Sequence, residues 1–362
     1  MAYYTVAHLL QGGVIDGSQT GPLGVKPSDM TTAAWDYVFL GKDYIAAECP
    51  NVSEEQLKKM RHEFEYWYPM DLRVSAKDLI RNHLTMSLYN HAAIWKDNLE
   101  QRMARSYFCN GYLMLNNAKM SKSTGNFMTL RECINTFGVE ASRIAMADAG
   151  DSLDDANFDG QVANAAILKL YILEEWIVKH CPKNVDLASK TSDSSVMSWD
   201  KIMTNEINRI NTIVKQAYAE MKYKVVIKHA FNELGSLKEA YLIATGGNPN
   251  PVILFKYFEA LLVFLNPIIP HFCQYQWESV IVPALKTCQN VPFEVQDLLI
   301  NQPWPVAEES DAAVSMLLNF LQDVKSNIRL GHTKALSGGK KPKKGAAVEE
   351  KTISNCTLFY SS

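Results

Sequence analysis

Apolar residues recur at intervals of three and four along most of the second half of the chain, in the stretches 139–148, 159–181, 195–222, 224–245, 251–265, 268–282 and 311–329. That is the period at which one face of a helix meets a core. Few alternating β-branched runs separate these stretches, so the spacing predicts an all-α bundle over 136–330. The first 135 residues are mixed. Thr31, ahead of TAAWDYVFL, is placed to cap a helix, and Ser53 with Gln56 makes a capping box before QLKKMRHEFEYW, which Pro69 ends.

Leu72-Arg73-Val74-Ser75 alternates apolar with polar and reads as a short strand. It runs into Asp78-Leu79-Ile80, the opening of a helix to about Trp95. Strand, tight turn and helix together form the unit of a doubly wound α/β sheet, which binds ligands at the strand's carboxyl end. A second strand-like piece, Tyr107 to Leu115, is interrupted by Gly111 and closes in the turn Asn116-Asn117. Residues 331–351, rich in Gly and Lys, read as a linker, and 352–362, with one strand over 352–360, as the start of a truncated C-terminal domain.

Composition narrows the function classes. A chain of 362 residues has room for two domains, and 47% hydrophobic with 21% charged residues excludes a largely disordered one. With a net charge of −3, binding to a polyanion has to come from local basic patches. No run approaches the ~20 apolar residues of a membrane span, and MAYYTVAHLLQGG lacks the basic start of a signal peptide. The seven cysteines are scattered without a C-x-x-C pair, which argues against a disulfide framework or a zinc site and for a reducing, cytoplasmic setting. No residue is assigned to metal binding. The acidic run Asp148, Asp151, Asp154, Asp155, Asp159 has no EF-hand spacing and reads as a turn with helix-capping carboxylates.

The sharpest chemistry lies in Lys119-Met120-Ser121-Lys122-Ser123-Thr124-Gly125-Asn126. Two lysines three apart, among small hydroxyl residues and a glycine, make a mobile cationic loop. It suits a reaction in which charge builds on a departing pyrophosphate. A solvated surface turn is the alternative that residue chemistry alone leaves open.

KMSKS followed by TGN, set between a strand and a helical region, resembles the signature of class I aminoacyl-tRNA synthetases. The segments MAYYTVAHLLQGG, WYPMDLRVSAKDLIRNHLTMSLYNHAAIW and MADAGDSLDDANFDG narrow the resemblance to the leucyl-tRNA synthetases of the cytosolic eukaryotic and archaeal type, from Met1 to about Trp304. NPIIPHFCQYQW (266–277) resembles a signature of their anticodon-binding helices. The resemblance implies ATP-dependent activation of leucine to leucyl-adenylate, then transfer of the leucyl group to tRNA(Leu). Magnesium would accompany the ATP, and no prosthetic group is involved.

On this likeness Lys119 and Lys122 are the catalytic pair on the ATP phosphates. Met120, Ser121 and Ser123 shape the loop, and Asp78 binds the ATP ribose. On chemistry alone Asp78 also reads as a helix N-cap. Tyr4 and His83 match positions lining the leucine pocket. Relatives usually carry Gly where Ala76 stands, so a methyl group faces the nucleotide there.

The implied fold is a partial doubly wound, Rossmann-like catalytic domain over 1–135 with an all-α anticodon-binding bundle over 136–330. The family's H-x-G-H motif and its inserted editing domain are missing from this sequence. The expectation is therefore a piece of the enzyme whose isolated chain has little adenylation activity. The expected partners are tRNA(Leu), leucine and ATP, in a monomer or a larger multi-synthetase assembly, and no membrane. The alternatives are an inactive tRNA-binding or regulatory module, or a methionyl-type enzyme, since AKDLIRNH also resembles the GKDIIRFH of methionyl-tRNA synthetases.

Overall fold

A computed structural model describes residues 2–13, 16, 18–188, 194–292 and 294–336. The last strand expected at 352–360 and most of the expected linker lie outside the described residues. The chain divides into two compact units, one of residues up to Leu113 together with Ser152–Ala156, the other of Met114–Asp151 and the residues from Asn157 onward.

In the first unit, helix α1 (Ala2–Leu10) packs against α3 (Glu54–Trp67). Between them lies α2 (Thr32–Trp35), which continues as a wider π turn to Leu40. Thr31 caps α2 by accepting from the Ala34 N–H at 3.2 Å. The Ser53–Gln56 capping box starts α3, with Ser53 Oγ accepting from Gln56 N at 3.3 Å and Gln56 Oε1 from Ser53 N at 2.9 Å. The core of this unit is aromatic: Tyr37, Phe64, Tyr68 and Trp95 pack with Leu57 and Met60. Strand β1 (Arg73–Ala76) leads through a tight turn (Lys77–Leu79) and a π turn (Ile80–Leu84) into α4 (Thr85–Ile94). After α5 (Leu99–Arg102), strand β2 (Tyr107–Asn110) pairs in parallel with β1, Arg73 opposite Tyr107 and Ala76 opposite Asn110.

The strand expected over 107–115 splits at Gly111. A Cβ there would lie 2.1 Å from the carbonyl oxygen of Asp154, so only a glycine lets the two backbones approach. Beyond the split the chain enters a second sheet, ordered β4–β3–β5, made of β3 (Leu113–Leu115), β4 (Ala118–Lys119) and β5 (Ala156–Phe158). Strand β5 falls inside the stretch read as purely helical. Its three residues are too few to carry an alternating signal, and their pairing comes from distant residues.

In the second unit, α6 (Leu130–Phe137) and α7 (Val139–Ala149) precede β5. The helices α8 (Gly160–His180), α9 (Ser194–Ala219), α10 (Tyr223–Val226), α11 (Leu234–Ala244), α12 (Pro251–Leu265), α13 (Pro270–Gln276) and α14 (Val282–Lys286) follow it. Helix α12 is apolar apart from Lys256 and Glu259, and eleven of its fifteen residues are buried. A helix of that composition belongs at the centre of a bundle. Asn250 caps it at Val252 N (3.0 Å) and Pro251 occupies its first turn, so its start is locally encoded. The final helix, α15 (Ala312–Leu336), runs six residues past Leu330 into the segment read as linker. Gly331 lowers helix propensity there by about 1 kcal/mol, too little to stop a helix already formed over five turns. A helix-rich chain with two small sheets is the architecture.

Candidate functional site

The lysine-rich loop is held by a hairpin. Leu115 pairs with Ala118 across the two-residue turn Asn116-Asn117, whose φ angles are +49° and +64°. Two successive positive φ values define the type I′ turn that matches strand twist, and Asn tolerates them better than other non-glycine residues. Strand β4 ends at Lys119, where the hairpin passes into the loop. Ser121 N donates to Asn126 O at 2.9 Å, closing the loop on itself. Gly125, at φ +70°, makes the return, with its N–H on Lys122 O at 3.3 Å.

Inside the loop, Ser121 and Ser123 share a hydroxyl contact of 2.8 Å and Thr124 Oγ1 donates to Ser121 O at 3.2 Å. Asn126 is the keystone: its Nδ2 reaches the carbonyls of Ala118 (3.3 Å) and Lys119 (3.2 Å). Sequence reading assigned it no role, although TGN carried the signal. Met120 turns inward to a small core of Leu115, Phe137, Ala145, Phe158 and Ala163. Lys119 and Lys122 are left exposed on opposite arms of the loop, and Lys122 Nζ has no hydrogen-bond or ion-pair partner among the described residues. Helix α6 starts right after the loop through a second capping box, Thr129 Oγ1 to Glu132 N at 3.2 Å and Thr129 N to Glu132 Oε2 at 2.8 Å. Those bonds to Thr129 hold the Glu132 carboxyl below its ordinary range.

In the first unit, Asp78 lies in the turn at the carboxyl end of β1. Ala76, not Asp78, occupies the N-cap position, and the exposed Asp78 carboxylate makes no hydrogen bond or ion pair among the described residues. The capping alternative therefore falls away. Ala76 has extended backbone (φ −106°, ψ 155°), which any residue adopts, so a glycine there would serve ligand approach and not chain geometry. Lys77 between them is committed elsewhere: Nζ donates to Asp155 Oδ1 at 2.6 Å and sits 4.7 Å from the Tyr112 ring centroid. The bond to Asp155 raises its pKa above the ordinary lysine value.

His83 Nε2 lies 2.7 Å from a guanidinium nitrogen of Arg73. Arginine only donates, so Nε2 is the acceptor and the imidazole proton sits on Nδ1. The ring borders a cleft of about 320 Å³ lined also by Ala2, Tyr68, Met86, His91 and Trp95. Tyr4 does not reach this cleft. Ala2 does, and a residue two positions on is turned about 200° around the helix. Tyr4 instead lies in a separate open groove with His8, Glu63 and Trp67. The two residues expected to line one pocket thus face two.

The acidic run is divided among local duties: Asp159 caps α8 at Gln161 N (2.8 Å), Asp151 accepts from Lys224 N (2.9 Å), and Asp155 holds Lys77 and the Tyr112 N–H. Among the described residues no group of three or more His, Cys, Asp or Glu side chains is arranged to hold a metal ion, and no helix is long and apolar enough to cross a membrane.

Comparison with known proteins supplies the frame for these sites. Residues 41–156 match the family described as class I (C) tRNA synthetase catalytic domain, and residues 200–338 match the anticodon-binding domain of tRNA ligase. The chain is 36% identical to the cytoplasmic leucine–tRNA ligase of Pongo abelii, over all of this chain and 29% of that protein. It is likewise 36% identical to the Saccharomyces cerevisiae counterpart, over 99% of this chain and 31% of the relative. The crystal structure of the ternary complex of Agrobacterium radiobacter K84 agnB2 LeuRS with tRNA and LeuAMS shares the fold over 76% of this chain and 33% of that one, with TM-score 0.52 and 17% identity. The chain spans less than a third of the length of these curated relatives. Nearly the whole of this chain thus aligns with leucine–tRNA ligases, and it carries in order a match to the class I tRNA synthetase catalytic domain and a match to the anticodon-binding domain of tRNA ligase.

Proposed function

We propose that this chain supplies the KMSKS loop and the anticodon-side helices of a cytoplasmic leucine–tRNA ligase. The observation that carries the reading is the loop itself: a hairpin-mounted, self-closed turn that packs a half-buried Met120 against a small core and leaves Lys119 and Lys122 exposed. In the reaction, the leucine carboxylate attacks the α-phosphorus of ATP. A new P–O bond forms, the bond to the β-phosphate breaks, and pyrophosphate leaves with its charge. Two ammonium groups on a loop free to follow the phosphates stabilise that developing charge, with no covalent nucleophile required. The Ser121 and Ser123 hydroxyls hold the loop's shape through their mutual contact.

Asp78, uncommitted at the carboxyl end of β1, is suited to accept from the ATP ribose hydroxyls. The β1–turn–helix unit with parallel β2 is one step of a doubly wound sheet, and the exposed Val74, Met86 and Tyr89 are the kind of apolar surface such a sheet normally covers. The cleft beside His83, lined by Met86, Ile94 and Trp95, suits a branched aliphatic side chain. Magnesium enters with the nucleotide. The described residues form no carboxylate site of their own for it, and no step here depends on one. The bundle is assigned to tRNA(Leu).

The test is leucine-dependent exchange of pyrophosphate into ATP, with methionine as the competing substrate. Spanning under a third of its relatives, the chain alone is expected to show little exchange. The assay therefore uses the Saccharomyces cerevisiae enzyme with this chain substituted for its counterpart. Exchange with leucine and not methionine is expected. A folded chimera that exchanges methionine, or neither amino acid, overturns the reading.

A further inference from the structure

Helix α7 has two allegiances. Ala145 belongs to the small core that also takes in Met120 of the loop, together with Leu115, Phe137, Phe158 and Ala163. Ala141 and Ile144 of the same helix belong to the main core of the bundle. Ser142 adds a tie to α6, its Oγ lying 3.2 Å from Cys133 Sγ. The short rod is pinned near its start by two side chains that reach the elbow between α12 and α13. Glu140 Oε1 accepts from His271 N (3.1 Å), His271 Nδ1 (3.0 Å) and Phe272 N (3.3 Å). Arg143 donates through Nε to Ile268 O and through its terminal nitrogen to Pro267 O at 3.0 Å.

These bonds are of the stronger kind, each with one ionised partner. The Glu140 carboxylate is mostly shielded, at 18% exposure. They join backbone groups 124 to 132 residues away in sequence, so they fix where α7 lies and not merely that it is helical. Ala145 stands about 7.5 Å along the axis from Glu140. A shift of the clamped end therefore moves the surface on which Met120 rests, because a packed core transmits displacement and does not absorb it.

We infer that Glu140 and Arg143 are positioning residues for the KMSKS loop, acting through α7 and the small core that contains Ala145 and against which Met120 packs. Their bonds go to the elbow and not to the loop. The inference deepens the phosphate-binding reading and rests on it only for its catalytic meaning, since the mechanical link is tested without any nucleotide.

The test is limited trypsin digestion of the intact chain followed by mass spectrometry. Cleavage after Lys119 and Lys122 is expressed relative to cleavage after Lys201, Lys215 and Lys256 in the bundle. Glu140→Ala and Arg143→Ala should each raise that ratio at least fivefold. Glu140→Gln, which keeps an oxygen able to accept from the elbow, should stay within twofold of the unmodified chain. A role confined to general stability would raise cleavage everywhere and leave the ratio unchanged, and that result overturns the inference. Should an alanine variant fail to fold, Arg143→Lys provides the measurement, since a lysine cannot make the paired contact. An unchanged ratio in folded Arg143→Lys is equally fatal. A parallel arm adds inorganic pyrophosphate to the unmodified chain. Absence of protection at Lys119 and Lys122 would count against phosphate binding while leaving the clamp result standing.

Discussion

Replacing Asn126 by alanine removes a side chain and leaves the whole backbone of the loop able to form. The Nδ2 group gives up its contacts to Lys119 O and Ala118 O, at 3.2 and 3.3 Å, and a marginal one to Leu115 O at 3.5 Å. Each such bond is worth a net ~0.5–1.5 kcal/mol. The two closer carbonyls belong to exposed residues and recover water when the side chain goes, and the third contact is long, which places the total near the lower end, about 1–2 kcal/mol. At ~1.4 kcal/mol per factor of ten, the loop should open roughly 5- to 30-fold more often. Hydrogen exchange reads this directly at the Ser121 N–H, which the Asn126 carbonyl holds at 2.9 Å. Protection of a peptide covering 119–127 should fall by that factor, while peptides from α9 and α12 keep theirs. Asn126→Asp should be worse than alanine, because a carboxylate cannot donate and would face three carbonyl oxygens. Unchanged protection in the alanine variant, or better protection in the aspartate one, would refute the assignment of Asn126 as the keystone.

Gly111→Ala would drive a methyl carbon to within 2.1 Å of Asp154 O and 2.4 Å of its carbonyl carbon. An overpacking cost of ~1–3 kcal/mol, read as a lowered midpoint in urea unfolding, is expected; an unchanged midpoint would contradict the close approach. The Glu132 carboxyl is held low by Thr129, so its contribution to α6 is complete above the ordinary carboxylate range and is lost as pH falls through the lowered native value. Exchange protection at the start of α6 should therefore decline on acidification in the unmodified chain, and show no such decline in Glu132→Gln.

What the sequence discloses tracks how local the cause is. The Ser53–Gln56 box, the Thr31 cap and the Asn250-Pro251 start of α12 depend on neighbours within three residues, and all are legible. The KMSKS loop is legible as a motif, yet its mechanical basis is not: Asn126 acts on carbonyls seven and eight residues upstream. The split at Gly111 and the strand at Ala156–Phe158 arise from approach of segments about forty residues apart, and no periodicity of three residues announces them. Helix α15 outruns its expected end because cooperativity carries it over Gly331 and Thr333, whose composition alone reads as linker. Tyr4 and His83 match one pocket by motif position and open onto two clefts in the structure, since their placement depends on how α1 is turned against α3 and α4.

The account stands or falls on the two ammonium groups of the loop. In the chimeric yeast enzyme carrying this chain, Lys119→Ala with Lys122→Ala should lower kcat for leucine-dependent pyrophosphate exchange by at least ~100-fold, the scale of losing one preorganised charge-stabilising contact, with circular dichroism unchanged. Exchange that continues at the unmodified rate would contradict it.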